Sequence, residues 1–551
     1  MRALLVCPEF PLSFWSFQKS CRLRGSKTAH PPLGLLTVAA LLPPEWELRL
    51  ADLNARRLTE EDWQGADLVL LSAMRIQRAG LLALVREAKL RGKIVVAGGP
   101  HPTSLPEEVL EAGCDFVVRG EGENTIPLLL EAMEQGKTGI IENGGKPDLT
   151  TSPIPRFDLL RLKDYAAYTI QTSRGCPFEC EFCDVISLFG RLPRYKTPKQ
   201  VIAELETLYR LGARGTVFIC DDNFIGSKKH ARALLQELTP WLRSRGAPYR
   251  FFTQVSVNLG QDPEMIDLMT AVNLREVFIG IESPDENVLQ TSHKYHNINN
   301  PLLESLHTLQ KKGIEVMGSF IIGLDGEPKG TGERICAFME QTAMPMAMLG
   351  VLQAFPHTSL WHRLEREGRL RQDVGDDAGT FSALNYQPDR PEAEIIQEYI
   401  EAWDYLYEPS RYLARAYRYY LAMGPVRQAP LVAARDTLPK GRVPGQGMAW
   451  HRILIQIKGF FKILWWQGVR PPYRRQFWAQ MIGMWRRNPT RFVEYIETCA
   501  MGEDLFEIRR VVRQKATAII QGRQLEVPGR SRARLSEAPV ESSSSSAIQA
   551  K

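Results

Sequence analysis

The sequence lacks the features that would place the chain across a membrane or outside the cell. It has no run of about 18 uninterrupted apolar residues, which a membrane-spanning helix requires, and its first apolar stretch is too short for a secretory signal. Its nine cysteines in 551 residues show no pairing pattern, which argues against a disulfide framework and indicates a reducing compartment. We therefore expect a cytoplasmic protein.

The sequence also lacks a large excess of charged residues of one sign. Lysine and arginine number 69 against 63 acidic residues, for a net charge of +6, and 44% of the residues are hydrophobic. This balance does not indicate a nucleic-acid partner, so none is expected. The length predicts about two or three domains with substantial cores.

Three of the cysteines lie together in one short loop. Cys176, Cys180 and Cys183 stand in Arg-Gly-Cys-Pro-Phe-Glu-Cys-Glu-Phe-Cys-Asp. A closed iron–sulfur site normally takes four thiolates, and no fourth cysteine lies nearby, so a cluster held here would keep one iron open. A zinc site is the alternative, but such sites usually combine two closely spaced pairs of ligands, the second completed by a fourth Cys or His. The sequence has no second pair of this kind.

The C-x-x-x-C-x-x-C spacing, with a strand predicted before it and a helix after it, resembles that of the radical S-adenosylmethionine (SAM) enzymes. The resemblance implies that the three thiolates hold a [4Fe–4S] cluster whose open iron binds the amino and carboxylate groups of SAM. One electron from the cluster then cleaves SAM to a 5′-deoxyadenosyl radical. Cys176, Cys180 and Cys183 are thus the expected catalytic and metal-ligating residues.

Ahead of this loop, short apolar runs alternate with helical stretches, which predicts a doubly wound parallel α/β domain. The predicted strands are Ala3–Val6, Trp46–Ala51, Asp67–Ser72, Lys93–Ala97 and Asp115–Arg119. Ligands bind such folds at the loops that follow the strands. The candidate binding residues in these loops are Ser72, Gly98, Gly99, Gly120 and Glu121.

The Gly-Gly-Pro-His-Pro-Thr and Gly-Glu-Gly-Glu loops resemble those of the Rossmann-like cobalamin-binding domain that precedes the radical domain in one subclass of radical SAM enzymes. The string Asp-x-His-x-x-Gly, which supplies a histidine ligand to cobalt in other cobalamin domains, is absent. His101 is a conceivable substitute, but a loop histidine is more often a hydrogen-bonding or surface residue. The alternative for the whole domain is a flavodoxin-like module that binds a nucleotide or no ligand.

After a linker rich in turn residues, six strand–helix units follow, which resemble the partial (β/α)6 barrel of the radical SAM family. The predicted strands are Tyr168–Thr172, Thr216–Cys220, Arg250–Val255, Glu276–Ile281, Glu315–Ile322 and Ala347–Ala354. Functional groups are expected at the carboxyl ends of these strands.

The resemblance implies several SAM contacts there. Phe182 is similar to the aromatic residue near the adenine. Asp222 is preferred to Asp221 for the amino group, since adjacent residues point to opposite faces of a strand. The further candidates are Ser256, Glu282, Gly318 and Gly323. His357 replaces the glycine of the usual Pro-Gly-Thr-x-Leu string, either facing substrate or lying on the surface.

From about residue 391 the hydrophobic period becomes helical, and the last predicted helix is Thr490–Cys499. Between Lys440 and Cys499, eleven Lys or Arg accompany two acidic residues and five of the eleven Trp. Such a segment suits a helix on an anionic membrane surface as well as a bundle packed on the barrel. The first alternative predicts peripheral contact with the inner face of the membrane through residues 440–500.

The predicted domains are residues 1–140 (cobalamin binding), 141–164 (linker), 165–385 (barrel), 386–525 (helical) and 526–551 (disordered tail). The chain as a whole resembles cobalamin-dependent radical SAM enzymes, and its helical extension resembles the subgroup that contains hopanoid 2-methyltransferases. This implies a methyltransferase that uses cobalamin, SAM and a [4Fe–4S] cluster, draws electrons from a reducing donor, and acts on an unactivated carbon of a small, lipid-like molecule. A non-methylating relative, such as an oxidative cyclase acting on a porphyrin, remains the alternative.

Overall fold

The computed structural model describes residues 1–371, 383–424 and 448–521, without the side chains of 448–454 and 456. The predicted disordered tail, 526–551, and the first residues of the predicted basic segment therefore lie outside the described residues. The predicted fold class, a doubly wound domain followed by a partial barrel and a helical region, is confirmed.

The first sheet contains, within the described residues, six parallel strands in the order β2-β1-β3-β4-β5-β6. They are β1 (Arg2–Cys7), β2 (Glu47–Asp52), β3 (Leu68–Ser72), β4 (Ile94–Gly98), β5 (Phe116–Arg119) and β6 (Gly139–Glu142). The accompanying helices are α1 (Gln18–Leu23), α2 (Leu33–Leu41), α3 (Glu60–Gln64), α4 (Arg78–Leu90), α5 (Pro100–Ser104), α6 (Pro106–Glu111) and α7 (Gly122–Glu134).

All five predicted strands are present, and their apolar runs are buried because separate hydrophobic clusters cover the two faces of the sheet. The edge strand β6 was not predicted. It is short and half exposed, so it carries no continuous apolar run, and the predicted boundary at residue 140 falls inside it. The winding direction changes at β1, which opens a crevice beyond the carboxyl ends of β1 and β3.

The second sheet is the partial barrel. Its six described strands are parallel, in the order β14-β13-β12-β11-β10-β7. They are β7 (Ala167–Ile170), β10 (Gly215–Ile219), β11 (Tyr249–Gln254), β12 (Leu274–Glu282), β13 (Glu315–Ile322) and β14 (Ala347–Val351), with a small antiparallel pair formed by β8 (Ser173–Arg174) and β9 (Arg194–Tyr195).

The strands of the barrel alternate with helices. They are α8 (Val185–Phe189), α9 (Pro198–Arg210), α10 (Lys228–Ser244), α11 (Pro263–Ala271), α12 (Glu286–Thr291), α13 (Tyr295–Ile298), α14 (Leu302–Lys311), α15 (Thr331–Thr342) and α16 (Ser359–Arg366). Several begin with a side-chain cap, such as the Thr197 capping box that starts α9.

The N-terminal domain closes the open side of the barrel. The segment between β1 and α2 inserts Trp15 against Phe278 of β12, with 5.0 Å between ring centroids. His30 of the same segment lies 5.1 Å from the ring of Phe218 on β10. The two domains therefore share a core rather than meeting only through a linker.

The described C-terminal helices are α17 (Glu392–Leu406), α18 (Pro409–Ala422), α19 (Met448–Gly468), α20 (Arg474–Arg487) and α21 (Phe492–Ile520). Helix α21 continues well past Cys499, where the predicted helix ended. Buried tyrosines of α17 and α18 pack on the amino ends of the barrel strands, where the Tyr419 hydroxyl accepts a 2.8 Å hydrogen bond from the Val316 amide. Among the described helices, none is long and apolar enough to cross a membrane.

Candidate functional site

The three loop cysteines lie between β8 and α8 at the carboxyl end of the barrel. Cys180 is buried, and Cys176 and Cys183 are half-buried. Burial raises the pKa of the Cys176 thiol to about 11 and also raises that of Cys180. Thiolates here would therefore need a positively charged partner such as an iron cluster.

The spacing of the three thiols bears on whether they would hold a single metal ion or an iron–sulfur cluster. In the described part of the chain, no three His, Cys, Asp or Glu side chains are placed to chelate a single metal ion. A four-iron cluster takes its thiolates at separate corners, so it accepts a wider spacing than one ion does. The cysteine loop thus fits a cluster better than the zinc alternative.

Two adjacent aspartates hold the backbone that leads into this loop. Asp221 is buried, and its carboxylate accepts hydrogen bonds from the amide of Thr172 at 2.6 Å and from that of Ser173 at 3.0 Å. Asp222 accepts a 2.8 Å hydrogen bond from the amide of Gly175, next to Cys176, and burial raises the pKa of Asp222 to about 7. One oxygen of Asp222 therefore holds the backbone of the cysteine loop. The contact of Asp222 with SAM stays a prediction.

A second contact holds the cysteine loop from α16, the helix that follows the last strand of the barrel. Arg363 of α16 donates to both oxygens of Glu181, at 2.9 and 3.0 Å, and Glu181 lies between Cys180 and Phe182. The same guanidinium pairs with Asp325 at 2.7 Å. Sequence reasoning missed Arg363, since it is 182 residues from Glu181 and belongs to no local motif.

The predicted SAM side of the site is organised around Glu282. Its carboxylate accepts a 2.7 Å hydrogen bond from the ammonium of Lys294 and a 3.2 Å bond from the Ser319 hydroxyl. Lys294 is buried, and its nitrogen lies 5.8 Å from the centre of the Phe182 ring. Burial by itself lowers the pKa of Lys294, but Glu282 and the neighbouring Cys180 outweigh it and raise the pKa overall. The structure thus brings Phe182 and Glu282 together and adds Lys294, which carried no sequence signal.

The remaining SAM candidates are less closely grouped. The Ser256 hydroxyl accepts a hydrogen bond from Asn223 at 3.2 Å and donates to Asn258 at 2.6 Å. Gly318 faces the side of β13 opposite to Ser319, because a Cβ there would lie 2.8 Å from Met344. Gly323 directly follows the strand and has φ of 101°. The structure therefore does not bring Gly318 to the interior face that carries Glu282.

Four of the five cobalamin candidates line one cavity between the two domains, with a volume of about 510 Å³. They are Ser72, Gly99, Gly120 and Glu121, whereas Gly98 does not contribute to the wall. Gly99 has φ of 95°, and a Cβ there would lie 2.7 Å from Ser72 Oγ. A side chain on Gly120 would instead project into open space. These loops thus leave room for a large flat ligand at the switch point of the sheet.

Glu121 also joins the two domains. Its carboxylate pairs with Arg174 at 2.7 Å and with Arg194 at 2.8 Å. Arg174 lies two residues before Cys176 and pairs in addition with Glu123 at 2.8 Å. Glu121 was predicted only as a cofactor contact, and the structure shows that it fixes the first domain to the cysteine loop.

The structure distinguishes between the sequence interpretations of two histidines. His101 is fully buried, with Nε2 3.7 Å from a Glu108 oxygen, and it does not line the cavity. Of the two predicted roles, the surface one is therefore wrong, the contact with Glu108 agrees with a partnered histidine, and a cobalt ligand is not indicated. His357 is exposed, and its Nε2 lies 3.1 Å from the carbonyl of Ser104 in the first domain.

Comparison with known families follows the same division of the chain. A B12-binding domain matches residues 21–130, the radical SAM superfamily matches 170–339, and a domain of unknown function, DUF4070, matches 358–518. The described α16 to α21 fall largely within the last of these.

Relatives extend over nearly the whole chain. An uncharacterized methyltransferase of Synechocystis sp. is 46% identical over 94% of this chain and 93% of its own length. The hopanoid C-2 methylase of Rhodopseudomonas palustris is 34% identical over 85% of this chain and 88% of that protein. The alignments therefore include the helical extension as well as the first two domains.

A solved structure has the same fold. The radical SAM methyltransferase TsrM from Kitasatospora setae, with cobalamin and a [4Fe–4S] cluster bound, superposes with a TM-score of 0.53 at 15% identity and covers 93% of this chain and 99% of that one. The cofactors of this chain are cobalamin, SAM and a [4Fe–4S] cluster, as predicted. With its domain order and its relatives, the chain belongs to the cobalamin-dependent radical SAM methyltransferases, in the subgroup with a helical extension that includes the hopanoid C-2 methylase.

Proposed function

We propose that the chain methylates an unactivated carbon of a hopanoid-type lipid that it takes from a membrane surface. The similarity to hopanoid C-2 methylase supports the substrate class. The observation that carries the proposal is an exposed aromatic and basic face on α19 and α20, which a water-soluble substrate would not require.

This face, the aromatic–basic face, is formed by side chains that monomeric proteins usually cover. Phe461, Trp465 and Trp485 are 62%, 57% and 66% exposed. The other exposed apolar members are Ile457, Val469, Trp478 and Ile482. Lysines and arginines alternate with them, and residues 448–493 contain no aspartate or glutamate. Aromatic side chains flanked by cations suit the boundary of an anionic bilayer.

The chain's own residues prepare the reaction rather than carry the reactive groups. When bound, SAM and the cluster supply the radical that abstracts hydrogen, and cobalamin carries the methyl group that is transferred. In the proposed assignment, Cys176, Cys180 and Cys183 hold the cluster, while Glu282 and Phe182 contact SAM. Glu121 fixes the cobalamin loops to the cysteine loop, so that the reacting centres stay aligned and shielded from water.

The activity test is anaerobic turnover of the reconstituted protein with SAM, a reductant, cobalamin and a hopanoid, followed by mass spectrometry. We expect 5′-deoxyadenosine, S-adenosylhomocysteine and a methylated hopanoid, all lost in Cys176→Ala. Deoxyadenosine without S-adenosylhomocysteine would instead favour the non-methylating alternative. S-adenosylhomocysteine without any methylated lipid would retain the methyltransferase and reject the hopanoid.

Membrane contact is tested by flotation of the full chain with anionic liposomes. Replacing Trp465 and Trp485 with serine should weaken binding at least about tenfold, because each exposed indole would lose its apolar contact with the bilayer. Leu90→Ser combined with Leu128→Ser is the matched control, since both leucines are exposed on helices of the first domain. Equal flotation of the tryptophan variant and the control would reject the membrane contact.

A further inference from the structure

The cysteine loop has one edge at the protein surface through which an electron can reach the cluster. Radical formation consumes one electron for each SAM that is cleaved. The end of the loop at Phe182 faces the interior of the barrel, where the buried Lys294 lies 5.8 Å from the Phe182 ring. The side of α8 faces the first domain, because Leu188 and Phe189 line the cavity between the domains. The edge that stays accessible among the described residues is 176–179, in which Glu179 is exposed.

Three further segments pack closely against this edge. The turn before β9 passes beside Gly175, where a Cβ would lie 2.9 Å from the carbonyl oxygen of Gly190. The loop before α10 meets the cysteine loop at Pro177, whose Cδ would lie 3.4 Å from a Cβ on Gly226. The third segment precedes and begins α13. We define the cluster rim as residues 176–179, 189–195, 226–230 and 293–296.

Two stacked pairs of rings hold the segments of the cluster rim together. His296 stacks on Phe178 of the cysteine loop, with 3.7 Å between ring centroids and 10° between planes. His230 stacks on Tyr195 of β9, with 4.0 Å between centroids and 3° between planes. A partner that docks at the rim therefore meets a preformed surface and loses little free energy to the ordering of these side chains.

The cluster rim and its continuations carry an excess of positive charge. Residues 185–203 and 223–236, which include two of the rim segments, contain seven Lys or Arg and no Asp or Glu. Those that are exposed are Arg191, Lys199 and Lys229. Arg191 pairs with Glu179, and Lys228 pairs with Asp262 at 3.0 Å. Lys229 forms no ion pair within the described residues, so the rim attracts a negatively charged partner.

The apolar part of the cluster rim is small, which favours a protein over a membrane as its partner. Leu192, next to Arg191, is 84% exposed, and Tyr295 is 47% exposed. They are the large apolar side chains that the described rim exposes, in contrast to the continuous aromatic–basic face of α19 and α20. Weak electron-transfer complexes bury less than about 1,200 Å² of surface. Charges around one or two apolar contacts suit a complex of that size.

We propose that the cluster rim docks a small acidic carrier protein, which holds a low-potential one-electron group and reduces the cluster. The carrier is oxidised by one electron and the cluster is reduced by one electron, with no bond formed or broken and no proton transferred. Charge at the rim speeds the encounter without making it long-lived, so the spent carrier can leave. This inference concerns the supply of electrons and does not depend on the proposed lipid substrate.

The test mixes the full reconstituted chain anaerobically with a reduced flavodoxin, which is an acidic carrier, and follows cluster reduction by freeze-quench electron paramagnetic resonance. Binding of oxidised flavodoxin is titrated separately, without reductant. Lys229→Glu should lower the second-order rate constant and the affinity about fivefold or more at low salt, because an attractive charge becomes repulsive. Leu192→Ser should weaken binding and leave its salt dependence unchanged. Dithionite is small and needs no docking surface, so it should reduce the wild type and the variants at equal rates.

The matched controls carry the same substitutions at the opposite edge of the first sheet. Lys137→Glu changes an exposed lysine just before β6, and Leu90→Ser changes a leucine that is 89% exposed just before β4. Both positions lie at the amino ends of their strands, away from the cysteine loop. Neither control should change the rate with flavodoxin or the affinity for it.

Several outcomes would overturn the docking surface. Equal rates for Lys229→Glu and Lys137→Glu would remove the rim from the contact. A similar loss with dithionite would indicate damage to the cluster instead of lost docking. A wild type that dithionite reduces but flavodoxin does not, or a flavodoxin rate that does not fall with added salt, would reject an acidic carrier. The lipid substrate is judged by the methylated product alone, so either proposal can fail while the other stands.

Discussion

The ion pair between Glu121 and Arg174 is expected to control how well the cobalamin domain is held against the cysteine loop. The perturbation is Glu121→Gln, which keeps the size of the side chain and removes its charge. Glu121 is 4% exposed, and its two partners, Arg174 and Arg194, are 11% and 17% exposed. Both arginines belong to the barrel, so the substitution acts across the boundary between the domains.

The magnitude follows from this burial. Removing one partner of a buried ion pair costs about 3–5 kcal/mol, because the remaining charge is left uncompensated. Arg174 keeps Glu123 at 2.8 Å, so the lower end of this range, about 3 kcal/mol, applies. That free energy corresponds to roughly a hundredfold shift in the docking equilibrium of the two domains.

The assay is an anaerobic titration of cobalamin followed by its absorbance, together with quantification of both products. Glu121→Gln should raise the cobalamin Kd by up to about a hundredfold, and deoxyadenosine should continue to form while methylated product falls. Glu142→Gln is the control, since its pair with Arg119 is exposed and such pairs contribute under about 1 kcal/mol. Cobalamin affinity and methylation equal to those of the wild type would refute the reasoning.

Three further substitutions test other parts of the site. Gly99→Ala should raise the cobalamin Kd by roughly 5- to 150-fold in the same titration, because a side chain at φ of 95° costs roughly 1–3 kcal/mol and its Cβ would lie 2.7 Å from Ser72 Oγ; an unchanged Kd would contradict this. Arg363→Met should lower the iron content and the cluster absorbance after reconstitution, since Glu181 loses its two hydrogen bonds; full cluster loading would contradict this. Burial raises the pKa of Glu327 from 4.5 to about 7, so the folded state favours the protonated carboxyl. Relative to Glu327→Gln, the wild type should lose up to about 3 kcal/mol of stability between pH 4.5 and 7, measured from urea midpoints at about pH 5 and 8; a constant difference would contradict it.

Some features of the fold were predictable because they depend on residues close together in sequence. The apolar runs of Ala3–Val6 and Asp67–Ser72 predicted buried parallel strands, and they are buried. The half-exposed strand Gly139–Glu142 has no such run, so no local pattern indicated it. The long helix Phe492–Ile520 extends beyond its predicted end because Asp504 and its neighbours pack against α1, where Asp504 accepts hydrogen bonds from the amides of Lys19 and Ser20.

The candidate site likewise has features that the sequence predicted and features that it did not. The spacing of Cys176, Cys180 and Cys183 pointed to a cluster, because its ligands lie within one loop. The orientation of Gly318 and the burial of His101 depended on which face of an element meets a neighbour, and the sequence did not reveal either.

The sequence by itself indicated the order of the domains through local spacing and hydrophobic period, and the resemblance of its motifs to a known family implied the cofactors and the reaction class. Only the tertiary structure decided how these parts are joined: Glu121 pairs with Arg174, Lys294 with Glu282, and Trp15 of the first domain lies inside the barrel of the second. Partners of this kind come from distant parts of the chain. They are selected by burial and by the approach of whole elements, which no local pattern encodes.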